Sequence, residues 1–355
     1  MSPAHAAVVS TETLHTLRGA WHALTAQQNL RTRDAAQKLG VSEAQLLATG
    51  VGAHVTRLTG DLRDLMMRIG ELGKVQAQTR NEAAVHEKVG AYTNITHGDQ
   101  VGLVLGDAID LRLLYDKWAF GYAVEEKIGQ GTRRSFQFFD AFGDVIHTIY
   151  LRDNGDIFAF EALRDAWAAP IQISGETVLP HPAGSAPERP DDAVDAKAFA
   201  ADWRVMTETP GILGLLKKHK LSRTQAFRLI GSEFAIPLLT DAPARLLQAA
   251  ARIGQEIMVF VGNPGCIQIH AGPVQNVQRR GNWLSVLDPD FSLHLREDRV
   301  AQAWLVRKPT TDGIVTSVEL LDAAGELIAC FFDKRTPGFP ETTGWRMLAS
   351  SLEPC

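Results

Sequence analysis

Imidazole, thiol and carboxylate side chains are the groups in this chain able to hold a metal or move a proton, and their spacing is the first constraint on its chemistry. Eleven histidines are scattered over 355 residues, and no two stand four apart, so no helix presents a chelating pair on one face. His219, in LLKKHK, adjoins lysines near a predicted helix end, where a solvated cation complementing the helix dipole competes with any ligand role. His270 and His294 lie in alternating, strand-like runs and face either a pocket or solvent. Cys266, Cys330 and Cys355 are far apart with no CxxC, which argues against structural disulfides and a zinc knuckle. No GxGxxG follows a strand, and GxxxxGK[ST], GxSxG and HExxH are all missing from the sequence, which disfavours nucleotide enzymes and the standard hydrolases. GQGTRR (129–134) reads as a hairpin turn between strands rather than a phosphate cradle.

The elements that must position such groups repeat. RNEAAVHEKVG (80–90) aligns with GNPGCIQIHAG (262–272), placing Asn81 on Asn263 and Gly90 on Gly272, an offset of 182 residues. SFQFFDAFGDVIHTIY (135–150) falls on SVELLDAAGELIACFF (317–332) at the same offset, matching Asp140 with Asp322 and Gly143 with Gly325. IDLRL (109–113) falls on FSLHL (291–295), pairing Arg112 with His294. A period this long predicts two copies of one domain rather than a solenoid.

Within each copy the hydrophobic pattern changes once. The first 75 residues read as helical, with Ser42 as an N-cap and DLRDLMMRIGELG ending on a C-cap glycine. Short alternating runs from Val85 to Phe160 predict antiparallel strands. Residues 172–196 are rich in Pro, Gly, Ser and acids and read as a linker between repeats spanning 1–171 and 197–355. The second half restarts with four helical segments, returns to strands from EIMVFVG onward, and closes on a helix in TGWRMLASSL. The expected fold class is therefore α+β, an internal duplication whose two similar halves each carry a large antiparallel β-sheet packed by helices.

Composition sets the outer bounds. With 45% apolar and 22% charged residues the chain is ordinary for a globular protein, and no apolar run nears the roughly 18 residues of a membrane span. A net charge of −5 argues against general nucleic-acid binding, which needs a basic footprint. The opening MSPAHAAVVSTETLHTL has no basic stretch followed by an apolar core, so the expected compartment is the cytoplasm.

Several segments resemble the bacterial cytoplasmic haem-utilisation proteins known as hemin-degrading factors. The likeness runs from about residue 30 to 350 and is strongest in NEAAVHEKVG, AIDLRLLYDKWAF, DWRVMTET, LLKKHKLSRTQAFRLIG, EIMVFVGNPGCIQIHAGPV, WLVRKPTTDGIVTSVELLD and DKRTPG. The resemblance implies a haem held between helices and sheet in the second half, its propionates met by cations and its iron by a Lewis base. Carried over residue by residue, it implies that Arg112 lies over the distal haem face. It places Arg223, Lys308 and Arg335 around the propionates and makes Phe260 an apolar wall. It also implies a haem transporter or a downstream haem-handling protein as delivery partner, and a homodimer as assembly.

Two positions depart from the family pattern. The proximal histidine of the family follows a Met-Thr-acidic-x segment, and here Met206-Thr207-Glu208-Thr209 is followed by Pro210, which has no donor atom for iron. An aromatic hydroxyl near the pocket is replaced by Phe332. Three outcomes remain open at this level: ligation by His219, His270 or His294; a separate site at His86; or haem held weakly with no strong protein ligand, or not at all. The expected function is a haem or porphyrin binder of haem uptake and iron acquisition. Trafficking or storage gains over ring cleavage because Pro210 stands in the position of the family's axial ligand, which normally tunes the iron. The alternative is a non-enzymatic regulatory or interaction module on the same scaffold.

Overall fold

A computed structural model describes residues 11–28, 32–182, 184, 187–336 and 338–355. The first half holds helices α1 (Thr11–Gln28), α2 (Thr32–Leu39) and α3 (Glu43–Ala48), strand β1 (Val55–Arg57) and helix α4 (Leu62–Arg68). Strands β2 (Lys74–Arg80), β3 (Ala84–Ala91), β4 (Ile95–His97), β5 (Val101–Leu105), β6 (Asp110–Leu114), β7 (Phe120–Ile128), β8 (Gly131–Phe139) and β9 (Val145–Leu151) follow, then α5 (Ile157–Trp167). The second half runs α6 (Ala196–Arg204), α7 (Gly211–His219), α8 (Arg223–Ile230), β10 (Ala235–Leu238) and α9 (Ala242–Ile253). It continues with β11 (Ile257–Asn263), β12 (Cys266–Gly272), β13 (Val277–Arg280), β14 (Trp283–Asp288), β15 (Phe291–Arg296), β16 (Gln302–Thr310), β17 (Gly313–Leu321), β18 (Leu327–Asp333) and α10 (Thr343–Ser350).

Among the described residues the strands form two antiparallel sheets of nine, and helices pack against them, as the pattern of the sequence predicts. The chain divides into two compact units, the described residues of 1–79, 88–183 and 263–267 making the first and those of 80–87, 184–262 and 268–355 the second. In the first unit the strand order is β1-β7-β8-β9-β2, with a second run β6-β5-β4. In the second unit the corresponding orders are β10-β16-β17-β18-β11 and β15-β14-β13.

The duplication is exact in register. Ser135 pairs with Tyr150 and Gln137 with Thr148; Ser317 pairs with Phe332 and Glu319 with Cys330, each number 182 higher. A one-residue slip would send every core side chain to the wrong face, so a buried sheet holds its register through large changes of sequence. The tight turns match as well. Asp140 Oδ1 accepts from the N–H groups of Phe142 and Asp144, and Asp322 Oδ1 from those of Ala324 and Glu326, all at 2.8–2.9 Å. Gly143 and Gly325 adopt φ of 84° and 80° in these turns, which favours glycine there.

Local signals explain the helix ends. Ser42 caps α3 in a reciprocal capping box with Gln45, and Gly73, at φ 70°, ends the 3₁₀ turn that extends α4. The short strand β1 departs from the helical reading of the first 75 residues, β10 stands between two helical segments ahead of the expected return to strands, and β2 begins at Lys74, before the expected start of the sheet. Strands of three or four residues carry too little periodicity to read; they exist because β7 and β16 offer an edge ladder.

Each sheet face of the second unit has its own core. One packs under α9 and α10 through Leu246, Leu247, Val259, Val318, Phe331 and Trp345. The other packs under α6, α7 and α8 through Phe199, Trp203, Phe227, Val306 and Leu321. That second face carries the polar cluster described next.

Candidate functional site

Antiparallel register puts a set of side chains on one face of β16, β17, β18 and β11. Val306 lies opposite Ser317, Trp304 opposite Glu319, Ser317 opposite Phe332, and Glu319 and Phe260 both opposite Cys330. With period-two alternation, Lys308, Ser317, Glu319, Cys330, Phe332 and Phe260 therefore share a face. Glu319 is 0% exposed and Lys308 3%. The Lys308 ammonium donates to Glu319 Oε1 and lies 3.2 Å from Ser317 Oγ. From α8, where Ser222 caps the helix, Arg223 Nη1 reaches Glu319 Oε2 at 2.7 Å.

Burial alone would raise the carboxyl pKa of Glu319. The Lys308 and Arg223 cations and the hydrogen bonds from Lys308 and Ser317 outweigh it and bring the pKa down to about 2, so Glu319 is ionised at any physiological pH. Burial pushes the Cys330 thiol up to about 12, with the Glu319 charge adding to the effect, so this sulfur stays protonated and a poor nucleophile. The Lys308 ammonium lies 5.0 Å from the centre of the Phe332 ring, which meets Phe260 edge to face at a centroid distance of 5.0 Å.

One end of this face is the β16–β17 turn. Arg335, after β18, donates to Asp312 in that turn at 2.7 Å, and this hydrogen bond, with one from Gly338 N–H, holds the Asp312 carboxyl below its usual range. The Thr311 N–H bonds the carbonyl of Thr207 at 3.1 Å, tying the segment before Pro210 to the same turn. Pro210 is exposed and is the N-cap of α7, at φ −64° and ψ −18°, with no side-chain cap. The structure thus gathers Arg223, Lys308 and Phe260 on one face and sets Arg335 at the turn that follows Lys308.

The candidate histidines stand elsewhere. His219, the last residue of α7, puts Nε2 2.6 Å from Asp202 Oδ2 and packs edge-on to Phe199 at 5.3 Å. His270 stacks flat on Phe291 at 3.8 Å, with Nε2 3.2 Å from the Pro273 carbonyl. His86, 0% exposed, meets the same Phe291 ring at 5.0 Å. Phe291 belongs to the core under α9 and α10, so His86 and His270 are packed in that core. His294 Nδ1 lies 3.0 Å from Ser285 Oγ. Arg112 belongs to the first unit, where its guanidinium pairs with Asp110 and donates to the Leu111 carbonyl at 3.1 Å.

Two cations against one carboxylate leave this face net positive, and two aromatic rings adjoin it. Such a donor set fits a flat apolar ligand bearing carboxylates, and it includes no imidazole. Sequence reasoning missed Glu319 and Ser317. The available signal was an acid at an inward, period-two position of a strand with no other charge, IVTSVELL, where an unpaired charge would be costly.

The chain belongs to the haemin-degrading HemS.ChuX domain family, which matches residues 40–167 and again 220–352, one match in each half. It is 39% identical over 315 residues to the hemin transport protein HmuS of Yersinia pestis, covering 88% of this chain and 90% of that one. Its structure is similar to that of holo-PhuS, a haem-binding protein from Pseudomonas aeruginosa, with a TM-score of 0.94 and 43% identity over 96% of this chain and 99% of that one. It is also similar to the haem-degrading enzyme ChuS of Escherichia coli O157:H7, with a TM-score of 0.89 and 36% identity over 96% of this chain and all of that one.

Proposed function

We propose that this chain is a cytoplasmic haem binder of haem uptake and iron acquisition, and that its second unit receives haem against the face formed by Lys308, Arg223, Phe260 and Phe332. The observation that carries this reading is the Lys308–Glu319–Arg223 cluster, a buried net positive charge beside aromatic rings in a member of a haem-handling family. Lys308 and Arg223 would meet the propionates, Phe260 and Phe332 would flank the macrocycle, and Arg335 would close the rim. Bound haem supplies a redox-active iron, and ring cleavage would need that iron tuned by an axial base and fed with outside electrons. In the family position for that base, Pro210 has none to give. Carriage or storage is therefore favoured over cleavage, with a haem transporter or a downstream haem-handling protein as partner.

The test is a hemin titration of the full chain followed in the Soret region. A saturable, shifted band is expected, with Lys308→Met weakening binding about tenfold or more, as loss of a charged contact predicts. A wild-type chain that gives only the unsaturable spectrum of free hemin overturns the reading.

A further inference from the structure

Burying two cations and a carboxylate between a helix and a sheet is costly, and such triads are commonly replaceable by apolar side chains without loss of stability. The duplication shows that this fold does not require one. At the offset of 182, Lys308 corresponds to Glu126 and Glu319 to Gln137. Glu126 pairs with Arg133 where Lys308 pairs with Val315, and Gln137 with Tyr122 where Glu319 pairs with Trp304. In the first unit the neutral Gln137 amide donates to Ser135 Oγ at 3.1 Å. In the second, the matching Ser317 hydroxyl donates to Glu319 Oε1 at 3.0 Å. The serine and the strand are kept in both copies, whereas the carboxylate with its cation partners is found in the second. The strand pairing is kept in the first copy without a charge at the Glu319 position, so the register of the sheet does not depend on this triad.

Glu319 spends one oxygen on Lys308 and the other on Arg223. An ammonium carries three donors and a guanidinium five, more than the roughly four acceptor sites of one carboxylate, so the pair retains capacity for a second anion. Any ligand carboxylate entering here must share its cations with a permanent internal competitor. We propose that Glu319 is a resident counter-carboxylate: it keeps Lys308 and Arg223 paired while the site is empty and weakens their hold on the carboxylates of an anionic tetrapyrrole, so that the ligand can be handed on. This inference rests on the haem-binding reading above.

Two experiments test it. The full chain and Glu319→Gln are each titrated with hemin and with hemin dimethyl ester, whose carboxylates are capped. The expected result is that the ratio of ester Kd to hemin Kd rises about tenfold in Glu319→Gln, the effect of roughly 1.4 kcal/mol of released attraction, and that Glu319→Asp returns it toward the wild-type value. A merely structural role would weaken both ligands together, and an unchanged or lowered ratio overturns the proposal. The second experiment needs no porphyrin. Glu319→Ala should melt at a lower temperature than wild type and regain stability saturably with acetate, which refills the vacated carboxylate position, but not with chloride at equal ionic strength. Absence of acetate rescue overturns the proposal. If wild type shows no saturable Soret shift, the haem reading fails on its own, and acetate rescue still decides the role of Glu319.

Discussion

Arg112 and His294 hold the same position in the two copies of the fold: Arg112 stands opposite Leu103 on β5, and His294 opposite Ser285 on β14, each number 182 higher. Their chemistry has diverged, one guanidinium pairing with Asp110 and one imidazole lying beside Ser285. Flanking core residues stay apolar, Leu111 and Leu113 in one copy and Leu293 and Leu295 in the other. Buried alternation fixes the ladder, and half-exposed positions between core residues are where function can change.

Asn81 and Asn263 should be equally costly to lose. Asn81 Oδ1 accepts from the N–H groups of Ala83 and Ala84 while its amide donates to the Gly262 and Ile328 carbonyls. Asn263 Oδ1 accepts from Gly265 and Cys266 and its amide donates to the Ile146 carbonyl. Alanine at either position should cost about 2–3 kcal/mol, measured by urea unfolding, because several partly buried groups lose partners at once. A cost within 0.5 kcal/mol or so of zero would remove these side chains as turn anchors.

Glu319 makes an acid-sensitive contribution with a defined sign. The Lys308 and Arg223 cations hold its carboxyl well below the ordinary glutamate range, at about 2 in the folded chain, so its stabilisation is complete above about pH 4.5 and disappears as pH falls through about 2. The difference in unfolding free energy between wild type and Glu319→Gln should be of the order of 3 kcal/mol at pH 7 and shrink toward zero near pH 2. A difference independent of pH would show that the charge is not what matters.

His147 should make the fold less stable as pH falls, whereas an exposed imidazole, unshifted on folding, would leave stability unchanged. Fully buried in the first unit, it has Nε2 2.6 Å from Tyr92 Oη and Nδ1 2.8 Å from Thr79 Oγ1, and burial pulls its pKa down to about 3. Because the unfolded chain takes up this proton near pH 6.5, stability should decline below that pH by up to about 1.4 kcal/mol per unit. In proton NMR the His147 ring should not titrate between pH 8 and 5 while the fold persists. Titration near pH 6 would contradict a buried neutral ring.

Pro210→His should tighten hemin binding about tenfold or more and move the Soret band toward that of a histidine complex. The φ of −64° suits any residue, so the substitution introduces no backbone strain there. An unmoved band would place position 210 away from the iron.

His219→Ala should leave the hemin spectrum unchanged and cost about 1 kcal/mol of stability, since Nε2 is engaged with Asp202 and the ring packs on Phe199. Collapse of the shifted band in this variant would identify His219 as the iron ligand instead.

The amino-acid sequence by itself determined the duplication, the turns at Asp140 and Asp322, the cap at Ser42 and the succession of helices and strands, because each is written in local alternation or in capping chemistry within a few residues. Lys308 and Arg223 could be named from a family resemblance, but not the acid between them. Only the tertiary structure decided that Glu319 joins two cations lying 11 and 96 residues away along the chain, that His86 and His270 are core rings around Phe291, and that the turns at Asn81 and Asn263 anchor to carbonyls more than a hundred residues distant. Such pairings depend on which strand faces fall together once the sheet closes, and a one-dimensional pattern of period two gives the face of each residue but not its partner across it.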